Sequence, residues 1–170
     1  HIAATMKLVD NRPEQDHLEL LLESIKPPQP QDTVTLDYLL ATPFRYVPRQ
    51  AGSRFRGLTD PGVFYGAESV RTACAELGYR RWQFLRHSVD LDRLAPVPHT
   101  AFSAVVSTAV VDLQRPPFDA DAAAWQHPSD YSATQQFARV ARQAGVGGIF
   151  YRSVRDPSGK LGTWPFHPML

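Results

Sequence analysis

Between Phe44 and Arg81 the chain carries arginines, a tyrosine and a carboxylate in an order that suits chemistry on an anionic nucleotide. Arg45, Arg49, Arg54 and Arg56 crowd twelve residues of backbone shaped by glycine and proline. Guanidinium forks bind phosphate oxygens in bidentate fashion. Tyr65 closes a short aromatic run, and Glu76 follows in a helical pattern. The order Arg54, Tyr65, Glu76 has spacings of eleven and eleven. Such a set would hold a pyrophosphate, stack on a ring and stabilise a sugar that turns cationic as its glycosidic bond breaks. Each residue also has a plainer role. The arginines suit a solvated basic loop, Tyr65 a packed ring with a satisfied hydroxyl, and Glu76 an i,i+4 pair with Arg80.

Other chemistries have less support. His17, His87, His99, His127 and His167 are isolated, without HxxxH or HExxH spacing, so no metal is expected. There is no GxGxxG and no GxxxxGK[ST]. Gly145-Val-Gly-Gly148 follows a helical pattern and precedes a strand pattern, the wrong order for a phosphate loop, and a helix C-cap is its expected role. No GxSxG elbow is present. Two rival readings stay open. One is a nucleic-acid-binding module or nuclease using the arginine loop, which a net charge of +1 and the lack of a carboxylate cluster oppose. The other is a non-catalytic interaction domain with Glu76 in a surface ion pair.

The elements that must position these residues are short. Pro13 to Ile25 reads as an amphipathic helix with Leu18, Leu21, Leu22 and Ile25 on one stripe. Lys26-Pro-Pro-Gln-Pro-Gln31 reads as a linker. Val34 to Leu40 fits helix or strand equally, and Phe44 to Val47 a strand. Gln50 to Gly62 is a loop, and Val63 to Tyr65 a strand. Ser69 is the expected N-cap of a helix reaching about Leu85. Its buried stripe is expected to be Val70, Ala73, Cys74, Leu77, Phe84 and Leu85, with Glu76 at the polar edge. Phe102 to Leu113 predicts a long or bulged strand, and Arg115 to Pro128 a connection. A helix is expected from Asp130 or Ser132, with Ala133, Phe137, Val140, Ala141 and Ala144 inward, ending at Gly145. Gly148 to Val154 predicts a strand, Asp156 to Gly159 a turn, and Thr163 to Phe166 a last strand. Few helices among short strands, without βαβ alternation, indicate an α+β domain with mixed or antiparallel sheets.

The 170 residues suit one compact domain. Hydrophobic content of 43% and charged content of 21% are those of a soluble globular protein. Cys74 is the only cysteine, so an internal disulfide is ruled out and a buried thiol in a reducing cytosol is expected. No apolar run approaches the roughly 20 residues of a membrane span, and no secretory signal is visible. The expected setting is cytoplasmic, away from membrane and without direct nucleic-acid contact. His1 to Thr5 are expected to be a cloning remnant, 6–31 a helical extension with a Pro-rich linker, and 32–170 the catalytic domain.

The residues from Phe44 to Val154 resemble the RES domain, the toxin family of bacterial toxin–antitoxin operons whose antitoxins are Xre-like. The early Arg-Tyr strand of that family reads here as Phe44-Arg45-Tyr46, and its GGRWN-like loop as Gly52-Ser53-Arg54-Phe55-Arg56. Its YxAES-like strand end reads as Phe64-Tyr65-Gly66-Ala67-Glu68-Ser69, and its xxAxxE helix as Thr72-Ala73-Cys74-Ala75-Glu76. Tyr131-Ser132-Ala133-Thr134-Gln135 and Tyr151-Arg152-Ser153-Val154-Arg155 extend the match. The loop departs from the pattern, so either Arg54 or Arg56 fills the arginine position, and either Ser132 or Ser153 the serine position.

The resemblance implies a fold like that of ADP-ribosyltransferase toxins and cleavage of the nicotinamide–ribose bond of NAD⁺, which is then a substrate, with ADP-ribose passing to water, phosphate or a protein side chain. It implies Glu76, Arg54 and Tyr65 as catalytic residues. It implies Arg45, Tyr46, Arg54, Tyr65, Ser132 and Ser153 as residues that hold NAD⁺. A cognate Xre-like antitoxin is the implied partner, a protein acceptor and a homodimer are compatible with it, and no metal is required.

Overall fold

Helices begin where the sequence supplies caps. The Asn11 side chain accepts the Glu14 N–H at 2.9 Å and opens α1, Arg12–Ser24, which has a proline in its first turn. Asp37 caps α2, Tyr38–Arg45. Ser69 caps α3, Val70–His87, its hydroxyl accepting the Thr72 N–H at 3.1 Å. The computed structural model describes residues 8–47, 52–156 and 160–164. A 3-10 turn, Phe118–Asp121, leads into the single turn of α4, Ala122–Trp125. The last helix, α5, spans Ser132–Gln143 and is followed by Gly145 at φ +73°, the left-handed region glycine enters without strain.

Four strands form one sheet: β1 Phe64–Ala67, β2 Val110–Asp112, β3 Gly148–Arg152 and β4 Lys160–Trp164. Their spatial order is β1-β4-β3-β2. β4 runs antiparallel to both neighbours, with Phe64 opposite Trp164 and Arg152 opposite Lys160. β2 is parallel to β3, Val111 lying beside Ile149. This mixed sheet with separate helices is an α+β domain.

Strand period decides the core. Ile149 and Tyr151 alternate onto one face of β3 and are buried there with Phe55, Leu113, Ala138 and Ala141. Phe55 is wholly buried and meets Tyr151 edge-on at 4.7 Å. α5 presents Thr134, Ala138 and Ala141 to this core, while Val140, expected inside, is exposed. The Thr134 hydroxyl donates to the Arg54 main-chain oxygen, and Gln135 Nε2 donates to that of Ser53 at 2.9 Å. These two bonds, made by consecutive residues in the first turn of α5, set the inward face together with the apolar residues.

Several sequence expectations give way. Phe44 and Arg45 end a helix that contains Pro43, so no strand forms at Phe44 to Val47. The contact explains it. Gly62 lies so close to Phe44 that a Cβ there would collide with the Phe44 backbone, seating the helix end on the loop. The long strand expected from Phe102 shortens to Val110–Asp112, and Phe102, Val105 and Val106 are exposed. The turn expected at Asp156 to Gly159 falls largely outside the described residues, as does Phe166 of the last strand.

The largest correction concerns α3. Its apolar stripe faces solvent: Val70, Leu77 and Phe84 are exposed, and so are Ala73 and Cys74. The inward face is polar. Thr72 Oγ1 donates to buried Asp156 at 3.1 Å, and Glu76, one turn on, accepts from Ser153 at 2.7 Å. Arg155 lies over the Tyr79 ring at 3.5 Å. Hydrogen bonds to a charged partner contribute about 1.5–3 kcal/mol each and are directional, so they fix the roll of the helix where apolar contact would not.

The 52–60 loop is tied down by Asp60. Its carboxylate accepts the Gly57 N–H at 2.6 Å and Arg139 Nε of α5 at 3.0 Å. Burial works against the ionised form, but the Arg139 and Gly57 bonds outweigh it and hold the pKa below the usual carboxylate value. Asp60→Asn should therefore cost about 1–3 kcal/mol in urea unfolding at neutral pH. A lowered folded pKa makes this stability complete above the ordinary value of about 4 and removes it as pH falls through the folded value. The gap between wild type and variant should close in that acid window. A gap independent of pH would contradict the assignment.

Candidate functional site

The end of β3 and the inward face of α3 meet at a single serine. Ser153 is 1% exposed, and its hydroxyl accepts the N–H groups of Arg155 at 3.1 Å and Asp156 at 2.9 Å. With its lone pairs so used, its proton points to Glu76 Oε1 at 2.7 Å. One carboxylate oxygen is thus fixed from behind. Glu76 stands in the wall of a cavity of about 170 Å³.

Arginines and tyrosines make the other walls. Arg54 is 7% exposed; its Nη1 donates to the Trp125 carbonyl at 2.7 Å, and its guanidinium lies 4.8 Å over the Tyr131 ring. Burial lowers its pKa, which Tyr131, Tyr151 and Glu76 partly offset, and it remains a cation. Arg155 donates to the Pro128 carbonyl at 2.6 Å while lying over Tyr79. Each guanidinium is therefore stacked on a ring and held by one carbonyl, and both border the cavity. Arg80 and Leu77 complete the lining from α3.

Tyr65 and Tyr151 border the same space. The Tyr65 hydroxyl pairs with Ser53 Oγ at 2.8 Å and accepts the Phe55 N–H at 3.1 Å. Burial raises its pKa against those two bonds. Burial, with Tyr65 and Glu76 nearby, raises that of Tyr151 well above the ordinary value. Both phenols stay neutral and serve as rings and dipoles. Glu76 is the carboxylate among the lining residues, facing three guanidinium groups. The arrangement fits a ligand that is anionic at one end and develops positive charge beside Glu76.

The fold brings together Arg54, Tyr65, Glu76 and Ser153 from the residues the sequence points to. It sets the others apart. Arg45 donates to Pro27 O and to Glu23 Oε1, each at 2.6 Å, and joins α2 to α1. Tyr46 gives its carbonyl to Arg56 Nη2 at 2.9 Å, and Arg56 Nε donates to Asp60 O at 3.2 Å. Arg56 is thus spent inside its own loop. Ser132 is exposed at the start of α5, its N–H on Asp130 Oδ1 at 2.9 Å. Arg49 lies outside the described residues.

Sequence reasoning missed Tyr79, Arg80, Tyr131, Tyr151 and Arg155 as lining residues. A signal existed for two of them. Tyr79 is three residues from Glu76 on one helix face, and Tyr151 is two residues before Ser153 in the expected strand, the strand period; Arg155 lies beyond the end of β3. Among the described residues no group of histidine, cysteine and carboxylate side chains is placed to hold a metal ion, and no helix is long and apolar enough to cross a membrane. A search of curated proteins finds no match to this chain. The model of the RES domain family matches residues 30–170, a span that contains every residue lining the cavity. The chain belongs to the RES domain family.

Proposed function

We propose that this cavity takes NAD⁺ as substrate and that the protein cleaves its nicotinamide–ribose bond, passing ADP-ribose to an acceptor. The observation that carries the reading is the Glu76 carboxylate, fixed by the buried Ser153 hydroxyl in a wall shared with Arg54 and Arg155. As the ribose C1–N bond lengthens, its electron pair leaves with nicotinamide and positive charge builds on the sugar. Glu76 faces that charge and stabilises it. Arg54 and Arg155 hold the pyrophosphate. Tyr65, Tyr79 and Tyr131 supply rings against nicotinamide and confine its geometry. The acceptor adds a lone pair to C1 and releases its proton to Glu76 or to water; water, phosphate and a protein side chain are all admissible acceptors.

The test is incubation of purified protein with NAD⁺ and chromatography of the products. Free nicotinamide, released in proportion to enzyme, supports the reading. Intact NAD⁺ after prolonged incubation with phosphate and with cell extract would overturn it. Ser153→Ala should lower turnover about tenfold, the loss expected of one hydrogen bond, with KM nearly unchanged because Ser153 lies behind the cavity wall. Equal losses in binding and turnover would mean that Ser153 touches the substrate.

Cytoplasmic NAD⁺ consumption would injure the host cell, so the reading includes a restraining partner of the Xre-like kind, as the family resemblance implies. Such a partner would mask the opening between the arginine loop and α3. Saturating NAD⁺ analogue should then weaken the complex; unchanged affinity would rule out masking.

A further inference from the structure

The outer face of α3 is built to be covered. Val70 is 61% exposed, Phe84 60% and Leu77 40%, and Ala73 and Cys74 lie between them on one stripe. At 100° per residue these five fall within about a third of the helix circumference. Helices in soluble domains turn such stripes inward, yet this one is held outward by its polar bonds to Ser153 and Asp156. An apolar stripe of this length rimmed by charge marks an interaction surface.

The rim identifies the occupant. Arg80 flanks the stripe on one side, Arg71, which also pairs with Asp156 at 3.6 Å, flanks it on the other, and Arg81 lies within it, donating to the Ala95 carbonyl at 3.1 Å. Two copies of α3 laid face to face would bring arginine against arginine. The complementary surface is an amphipathic helix with acidic flanks. The 18 residues of α3 make a track about 27 Å long, enough to seat four to five turns of such a helix. Leu77 and Arg80 belong both to the stripe or its rim and to the cavity lining, so an occupant would reach the edge of the cavity without entering it.

We infer that the outer face of α3 docks an acidic amphipathic helix of a partner protein. This surface adjoins the cavity at Leu77 and Arg80 but lies outside it, and the inference stands whether or not the cavity binds NAD⁺. Cys74 sits in the stripe and is the only cysteine in the chain, which makes it a built-in reporter. The experiment follows the rate at which a disulfide reagent modifies Cys74 in the whole protein. Two designed helical peptides serve as probes, both with leucine at i, i+3, i+4 and i+7, one flanked by glutamate and the other by lysine. The glutamate peptide in excess should slow modification at least tenfold, the lysine peptide should not, and Phe84→Asp should abolish the protection. Circular dichroism confirms that this exposed-site variant is folded. Equal protection by both peptides, or by neither, overturns the proposal. So does a Cys74 rate that falls as the protein alone is concentrated, since that identifies a second copy of the chain as the occupant.

Discussion

Glu76→Gln should remove NAD⁺ cleavage, by on the order of 10² in rate or more, while leaving the fold and substrate binding in place. The loss of one preorganised partner for developing charge has that size. The substitution is chosen because the amide oxygen can still accept the Ser153 hydroxyl that Glu76 Oε1 accepts at 2.7 Å. The roll of α3 is thereby kept, and only the charge goes. Single-turnover kinetics separates the steps: bound NAD⁺ should persist unhydrolysed on the variant. A variant with wild-type turnover would show that Glu76 is a helix anchor and nothing more. Parallel melting curves are needed, because a fall in activity with a fall in melting temperature would report the anchor instead of the chemistry.

Removing the Arg54 fork should weaken NAD⁺ binding about 10- to 150-fold, equivalent to the roughly 1.5–3 kcal/mol of a charged hydrogen-bonded pair. Arg54→Lys is the cleaner variant, since it keeps a cation near Tyr131 and loses the bidentate geometry. Arg56→Ala is the control. Its guanidinium is engaged with Asp60 O and Tyr46 O, so its loss should soften the loop and change affinity little. Titration calorimetry on the two variants decides between them. A larger loss for Arg56→Ala would mean that the loop presents its arginines to the ligand in a different register.

The grouping of the candidate site residues was more legible than the packing. Arg54, Tyr65 and Glu76 stood out by their order and spacing, and the fold gathers all three around one cavity. Ser69 was readable because caps are local, made within three residues. The roll of α3 was not. The hydrophobic stripe of Val70, Leu77 and Phe84 pointed inward by its period, but bonds from Thr72 and Glu76 to residues about eighty positions away set the orientation. Long-range directional bonds leave no periodic trace. The same holds for the choice between Ser132 and Ser153. Both sit at element ends, and only the pairing of β3 with the rest of the sheet brings Ser153 to Glu76. Arg45 looked equivalent to Arg54 in the sequence, yet Glu23 and Pro27, some twenty residues upstream, hold it elsewhere.

The sheet order has a consequence for when the cavity wall is complete. β1 and β3 do not pair; β4 lies between them and is the last of the described strands. Chains emerge from the ribosome N-terminal end first. Arg54, Tyr65 and Glu76 are therefore exposed early as a partial set, with neither Ser153 to hold the carboxylate nor β4 to close the sheet around it. The setting of Glu76 is complete only once the strand at Lys160–Trp164 has emerged and slotted into place. Translation itself then acts as a timer, separating the appearance of the carboxylate from the assembly of the wall that fixes it.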